Sequence, residues 1–431
     1  MTNPITKSHV KEDISYTDKM LYTYFIMFIS VMITTAFLFN SPAEIIKGNI
    51  TILTSPDNLI TDYFENANIG AALVNAAIMV LQAIIIIKKS KQEISGLLVA
   101  SIFTLAGFSL FGKNLYNSTP IILGVYAYAK FRKIPFCQLT AIALFGTAIG
   151  PVVSEVTFNF ALPTFQGIFF GVLAGFISGF FMPVLAQHFI NFHKGFSLYN
   201  IGFTAGIIAT VCTALFRGLG YKVETVYLVS KGNNKELAMF LLVLFAMMLI
   251  AGLAANQWSF KGYGALMKES GRAGSDFIKK YGRGVVYINM ALLGIVFTAY
   301  ILIVGGKLNG PTIGGIFTVV GFGAIGKHLK NVLPILLGVF LASYFSVHDV
   351  NSTAALLAAL FGTTLAPLSG YYGPVAGIIA GALHMIFASN LSFLNAGLNL
   401  YNNGFSGGFI AAILVPIYEE IYKIKNKIKN A

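Results

Sequence analysis

Apolar residues along the 431-residue chain come in long unbroken runs, and polar residues are confined to the short stretches between them. A helix needs about 20 such residues to cross a hydrocarbon core of roughly 30 Å. About fourteen runs qualify. In the first half they lie near 20–40, 69–88, 94–111, 116–131, 136–156, 164–188 and 196–217. In the second half they lie near 236–256, 284–305, 310–326, 331–346, 351–367, 372–389 and 399–418. The runs are continuous rather than alternating, which argues against a membrane β-barrel. The pattern predicts an all-α integral membrane protein. Runs 116–131 and 331–346 are short and each contains a proline, Pro120 and Pro334, so broken or re-entrant segments are admissible there beside full crossings.

The pattern also repeats. The stretch Gly112-Lys-Asn-Leu-Tyr-Asn-Ser-Thr-Pro-Ile-Ile-Leu-Gly-Val125 returns as Gly326-Lys-His-Leu-Lys-Asn-Val-Leu-Pro-Ile-Leu-Leu-Gly-Val339, identical at nine of fourteen positions and offset by 214. The same offset pairs Asn75 with Asn289, Gly96 with Gly310 and Gly107-Phe108 with Gly321-Phe322. Leu144-Phe-Gly-Thr147 matches Leu360-Phe-Gly-Thr363, and Leu198-Tyr-Asn200 matches Leu400-Tyr-Asn402, where the offset has dropped to 202. An ordered set of matches is a duplication, not shared composition. If each copy crosses seven times, the second enters from the opposite face and the repeats are inverted. One re-entrant segment per copy would make them parallel instead.

Composition sharpens the class. Only 10% of residues are charged and 56% are hydrophobic, against about a quarter and 45–50% in a soluble domain. An ordinary cytosolic enzyme, a disordered chain and a disulfide-stapled domain are excluded; Cys137 and Cys212 are the only cysteines. The net charge of +13 is scattered between apolar runs rather than clustered, so it does not mark a nucleic-acid binder. Threading fourteen crossings with the amino terminus inside places 22 of the Lys and Arg residues on the cytoplasmic side and 7 outside, as the positive-inside rule requires. The chain then divides into a cytoplasmic tail at 1–19 carrying Lys7, Lys11 and Lys19, a first membrane repeat at 20–217, and an extracytoplasmic connector at 218–235. A second repeat follows at 236–418, with a basic cytoplasmic loop at 257–284 that reads as an interfacial helix, and a basic cytoplasmic tail closes the chain at 419–431. A location in the cell membrane, contact with anionic lipids on the cytoplasmic side and a possible homo-oligomer are the partners this layout expects.

Repeat interfaces near the bilayer midplane hold substrate paths in inverted-repeat proteins, so the polar or helix-breaking residues present in both copies are the candidates. Pro120 and Pro334 are expected break points, with Asn117 and Asn331 offering hydrogen bonds beside them. Lys113 and Lys327 either suit an anion inside the membrane or snorkel to headgroups. Thr147 and Thr363 follow a Phe-Gly pair and fit helix packing as well as a pore lining. Tyr199-Asn200 and Tyr401-Asn402 open apolar runs, as helix starts or as part of an aromatic belt. Glu155 alone among carboxylates is deeply embedded, and its counterpart is Tyr371, so it is a candidate proton or cation site or an acid at a helix end. No metal-ligand spacing, phosphate-cradling loop or nucleophile elbow appears, so no cofactor and no catalytic residue are expected.

The order of the duplicated motifs resembles an uncharacterised bacterial multi-pass membrane family with a duplicated domain of unknown function, over most of the chain. More distantly, the layout is similar to bacterial urea transporters, whose inverted halves each carry an Asn-Asn-Pro-Leu-like segment and a Leu-Tyr-Gly-x-Asn segment. Here Asn117/Pro120, Asn331/Pro334, Tyr199/Asn200 and Tyr401/Asn402 occupy comparable places. The Leu-Pro-rich signature of the urea-selective pore is absent, the two lysines have no counterpart there, and this chain has more apolar runs per half. The resemblance implies a twofold path for a small solute and no particular substrate. The expectation is a transporter or channel, not an enzyme. The reading from another class is an intramembrane enzyme or an assembly scaffold.

Overall fold

The computed structural model describes residues 5–57 and 60–430. The side chains of 5–18, Met20 and 425–430 also lie outside the described set, and with them the expectations placed on Lys7, Lys11, Lys425, Lys427 and Lys429. The first half folds as α1 (Ile5–Phe39), α2 (Pro42–Thr54), α3 (Tyr63–Asn66), α4 (Ile69–Lys89), α5 (Gly96–Phe108), α6 (Leu115–Phe131), α7 (Thr140–Gly146), α8 (Gly150–Phe158), α9 (Thr164–Phe189) and α10 (Asn200–Gly218). The second half folds as α11 (Asn234–Ala255), α12 (Tyr263–Leu266), α13 (Phe277–Ile303), α14 (Gly310–Phe322), α15 (Leu329–Tyr344), α16 (Thr353–Gly362), α17 (Ala366–Tyr372), α18 (Pro374–Leu391) and α19 (Asn402–Asn430). Among the described residues, ten helical stretches are long and apolar enough to cross a membrane. The other four apolar runs form the shorter helices α5, α6, α14 and α15, of 13, 17, 13 and 16 residues.

Three local expectations are corrected. The helices do not break at Pro120 and Pro334; α6 and α15 run through both. The breaks fall instead at the 3-10 turns Thr147–Ile149 and Thr363–Leu365. Pro151 and Pro367 follow directly, in the first turns of α8 and α17; a proline has no N–H for the carbonyl four residues back, and the Thr147 and Thr363 carbonyls instead accept from Gly150 and Ala366 in 3-10 fashion. The 257–284 stretch is not an interfacial helix: only the single turn α12 and the start of α13 are helical, because Gly262, Gly271 and Gly274 take positive φ. Finally, the apolar span lies where expected, at Leu21–Phe39, but the helix that carries it, α1, begins at Ile5 and is followed by α2, which opens on a capping box between Ser41 and Glu44.

Small residues set the packing. An ideal Cβ at Gly124 of α6 would strike the Phe176 carbonyl oxygen, and one at Gly179 of α9 would strike that of Ile121. Gly338 and Gly381 stand in the same relation to Ile378 and Ile335 on α15 and α18. Only glycine permits these approaches, in which helices without a hydrophobic drive between them gain dispersion contacts.

At the centre, α5 and α14 lie against each other antiparallel. Gly96 meets Ala324 at one end, Gly107 meets Gly314 further along, and Gly310 meets Leu110 at the other. Each pairing is closed by an aspartate from the opposite half. Asp62 Oδ1 accepts from the Gly310 amide at 3.1 Å, and Asp276 Oδ2 accepts from the Gly96 amide at 3.2 Å. A carboxylate there satisfies free amides and meets the positive end of the helix dipole. Asp62 and Asp276 are themselves 214 residues apart, a further repeated pair.

Candidate functional site

The loop after each short central helix carries a lysine, and asparagines fix that loop. Asn75 Nδ2 donates to the carbonyls of Ser109 (2.7 Å) and Lys113 (2.8 Å), and Asn289 Nδ2 donates to those of Gly323 and Lys327, both at 2.8 Å. Asn117 Nδ2 donates to the Gly112 carbonyl at 3.1 Å while its Oδ1 accepts from the Asn114 amide at 3.0 Å. Asn331 does the same with Gly326 (2.9 Å) and His328 (3.0 Å). Asn117 and Asn331 therefore hold the lysine loops in place. Pro120 and Pro334 pack against Gly175 and Gly377.

Lys113 and Lys327 are not on the surface of the protein; both are fully buried. Lys327 Nζ donates to the Tyr199 hydroxyl and, at 2.6 Å, to Thr363 Oγ1, and it lies 4.4 Å from the Tyr199 ring centre. Lys113 Nζ has no hydrogen-bond partner among the described residues and stands 5.1 Å from the Phe108 ring centre. Thr147 donates to the Leu144 carbonyl at 2.6 Å just as Thr363 donates to that of Leu360, but only Thr363 also accepts from its lysine. The two copies are thus built alike and occupied differently.

The tyrosines arrive from the opposite half. The Leu198 and Tyr199 amides donate to the Thr364 carbonyl and hydroxyl, both at 3.0 Å, which docks the start of α10 on the broken helix α16–α17. Conversely, the Leu400 amide donates to the Ala148 carbonyl at 3.0 Å, docking the start of α19 on the break before α8. Tyr199 and Tyr401 meet with ring centres 4.5 Å apart, Phe322 lies 4.7 Å from Tyr199, and Phe108 lies 4.7 Å from Tyr401.

A cavity of about 360 Å³ ends on this aromatic pair. Its walls are mostly apolar, including Leu97, Ile142, Phe145 and Ile325, and Gln187 and Asn200 join Tyr199 and Tyr401 as the polar part. Ile190 and Ala273 are shared with a shallower polar hollow that contains Lys194 and Arg272. This is the end of the molecule where Asp276 holds α5. A second cavity, about 250 Å³, lies at the end where Asp62 holds α14. Ala388, Ser389 and Asn402 line it, each 202 residues after Ala186, Gln187 and Asn200 of the first. It stops short of both tyrosines. The segment Thr225–Tyr227 forms one wall and is tied to the 60–62 stretch through Ile60 N to Val226 O (2.6 Å), Leu228 N to Ile60 O (2.9 Å) and Asp62 N to Leu228 O (2.9 Å).

One carboxylate near this core was missed in the sequence. Asp57, in the segment between α2 and α3 and outside the candidate spans, is fully buried. Its Oδ2 accepts from Ser154 Oγ (2.9 Å), Asn117 Nδ2 (3.1 Å) and Asn114 Nδ2 (3.2 Å). Burial pushes its pKa up to about 7, against the lowering effect of those hydrogen bonds. Gly271 holds its place in the second copy, so no repeat signal marked it. Glu155, beside Ser154 on α8, is also buried and accepts from Asn159 Nδ2 at 2.8 Å, while its counterpart Tyr371 is exposed.

Ten long apolar helices, duplicated motifs and a buried polar centre define a multi-pass helical membrane protein with an internal repeat. The family model described as "Protein of unknown function (DUF1576)" matches residues 41–218 and 255–420, and the chain belongs to that family. No curated protein and no solved structure matches it.

Proposed function

We propose that the protein is a membrane transporter for a small solute, with a pseudo-twofold path between the two repeats. The observation that carries this reading is the pair of cavities. They are lined by corresponding residues of the two copies, they lie at opposite ends of the α5–α14 pair, and only one reaches the Tyr199–Tyr401 contact. Alternating access requires such a pair of related paths, of which one at a time reaches the centre. The antiparallel contact of α5 with α14, related segments 214 residues apart, supports inverted rather than parallel repeats. Lys194, Arg272 and Glu419 cluster at the end of the open cavity, through Lys194–Glu419 at 2.8 Å and Arg272 Nε to Lys194 O at 2.9 Å. This supports placing the basic loop and the carboxyl-terminal tail on one side, the cytoplasmic one.

Reconstituted proteoliposomes test the reading. Uptake of ureas, amides, carboxylates and nucleobases is measured with and without a proton gradient. Flux above empty vesicles is expected for one class. Glu155→Gln is expected to abolish uphill accumulation while leaving binding intact, if that acid couples transport to protons. A folded protein that binds a solute and never moves it would return the enzyme and scaffold readings.

A further inference from the structure

We infer that Asp57 binds the proton that drives transport: its Oδ1 takes a proton from water on one side of the membrane and returns it to water on the other. The coupling rests on the transport reading; the proton site does not. Three donors, from Ser154, Asn117 and Asn114, converge on Oδ2. Oδ1 has no hydrogen-bond partner among the described residues, although the side chain is fully buried. A buried carboxylate with no cation beside it is costly, and a proton or a metal ion relieves that cost. The donors decide between the two. Amide N–H groups on Oδ2 stand where a metal ion would need oxygen lone pairs, whereas a proton needs only the bare Oδ1. The groups that act on its ionisation besides burial are Ser154, Tyr63, Asn117 and Asn114, none of them charged. Tyr63, on α3, is the titratable one, and burial holds its hydroxyl well above the usual tyrosine range. On the other elements packed here, Lys113 lies over Phe108 and Glu155 accepts from Asn159. Asp62 accepts from the Phe64, Ser230 and Gly310 amides.

The second copy builds the same joint without a carboxylate. At Gly271, which holds the place of Asp57, a Cβ would strike the Gly326 carbonyl oxygen and Asn331 Nδ2, the counterparts of Gly112 and Asn117. Phe277 replaces Tyr63, His328 replaces Asn114, and Gly370, packed against the Ser270 carbonyl, replaces Ser154. Only Asn117 recurs, so the fold does not need this cluster. Its position suits a coupling site. Asn114 Nδ2 ties it to the Ile52 carbonyl at the end of α2 (3.0 Å) and to the Tyr63 hydroxyl (3.3 Å), and Ser154 ties it to α8. Ile60–Asp62, three residues further on, pairs with the segment that walls the second cavity. Charged, the carboxylate draws its donors in by hydrogen bonds about twice as strong as neutral ones. Protonation therefore loosens the joint beside the closed cavity.

The test is infrared difference spectroscopy of the full chain in lipid vesicles as the pH is stepped. The C=O band of a protonated carboxyl should vanish as pH rises through about 7. That change should be missing in Asp57→Asn and kept in Glu155→Gln. Ser154→Ala removes a donor to the charged form, so the change should move to higher pH; this arm decides the matter if the asparagine variant does not fold. Flux tests the coupling. With the membrane potential clamped to zero, an uncharged solute moving with one proton is concentrated about tenfold by a gradient of about one pH unit. Asp57→Asn should equilibrate the solute and not concentrate it. A pH-dependent band unchanged in folded Asp57→Asn, or removed by Glu155→Gln instead, would overturn the proton site. Undiminished accumulation in Asp57→Asn would overturn the coupling. A titrating Asp57 in a protein that moves no solute would remove the transport reading and leave the proton site standing. Flux with no titrating band would do the reverse.

Discussion

Asn75 and its counterpart Asn289 show how little sequence it takes to place a buried lysine. Each spends one amide on two carbonyls of a turn that no helix satisfies, and the lysine that ends the turn is thereby aimed inward. Asp57 is the residue whose chemistry departs furthest from its copy. Its folded pKa of about 7 lies above the value near 3.9 of an unfolded aspartate. The folded state therefore binds the extra proton. The stability this contributes is fully present below about pH 4 and is lost as pH rises through about 7, up to a bound of about 4 kcal/mol. The melting temperature of the detergent-solubilised protein should fall between pH 5 and 8. In Asp57→Asn that slope should flatten. An unchanged slope in the variant would assign the pH response to another group.

At the scale of elements, the tightest constraint is the glycine contact between α6 and α9 and its copy between α15 and α18. Gly179→Ala or Gly381→Ala inserts a methyl against a backbone carbonyl, and each is expected to cost about 1–3 kcal/mol by forcing the helices apart. Chemical denaturation in mixed micelles reads the loss. A stable Gly179→Ala protein would mean that α9 can slide on α6 without penalty. These elements were largely legible in the sequence, because long apolar runs and a strong repeat are one-dimensional signals. The breaks were not. A proline inside an apolar run looks like a break, yet Pro120 is accommodated because α9 packs over it through Gly175, while the true discontinuity falls at Thr147, before Pro151. Of the site, Lys113, Lys327, Thr363, Tyr199 and Tyr401 were legible as polar or aromatic residues present twice. Phe108 and Phe322 also occur in both copies, but nothing in the sequence distinguishes their role among 38 phenylalanines, and Asp57 meets Ser154 only through folding, 97 residues away.

For the whole molecule, the difference between the two cavities is the property that function must act on. The cavity at the Asp276 end reaches the tyrosines, and the one at the Asp62 end is walled by Thr225–Tyr227, which pairs with the stretch from Ile60 to Asp62. The matching stretch at the other end, Ala273–Gly274, has Gly195 as its backbone partner and, among the described residues, no comparable strap. If alternating access operates, the 225–228 strap must part from residues 60–62 for the second cavity to deepen, and the first must close. Thr61 and Leu228 sit opposite each other in a parallel bridge, a spacing of the kind a disulfide spans. With Cys137 and Cys212 replaced, Thr61→Cys together with Leu228→Cys should form a cross-link on oxidation. Flux in proteoliposomes should then fall to background and return on reduction, whereas binding from the side of Ala273 should persist in the oxidised state. Such a split is expected only of a gate, since a strap that merely stabilised the fold would leave flux intact when tied more firmly. Undiminished flux through fully cross-linked protein would place the moving element elsewhere.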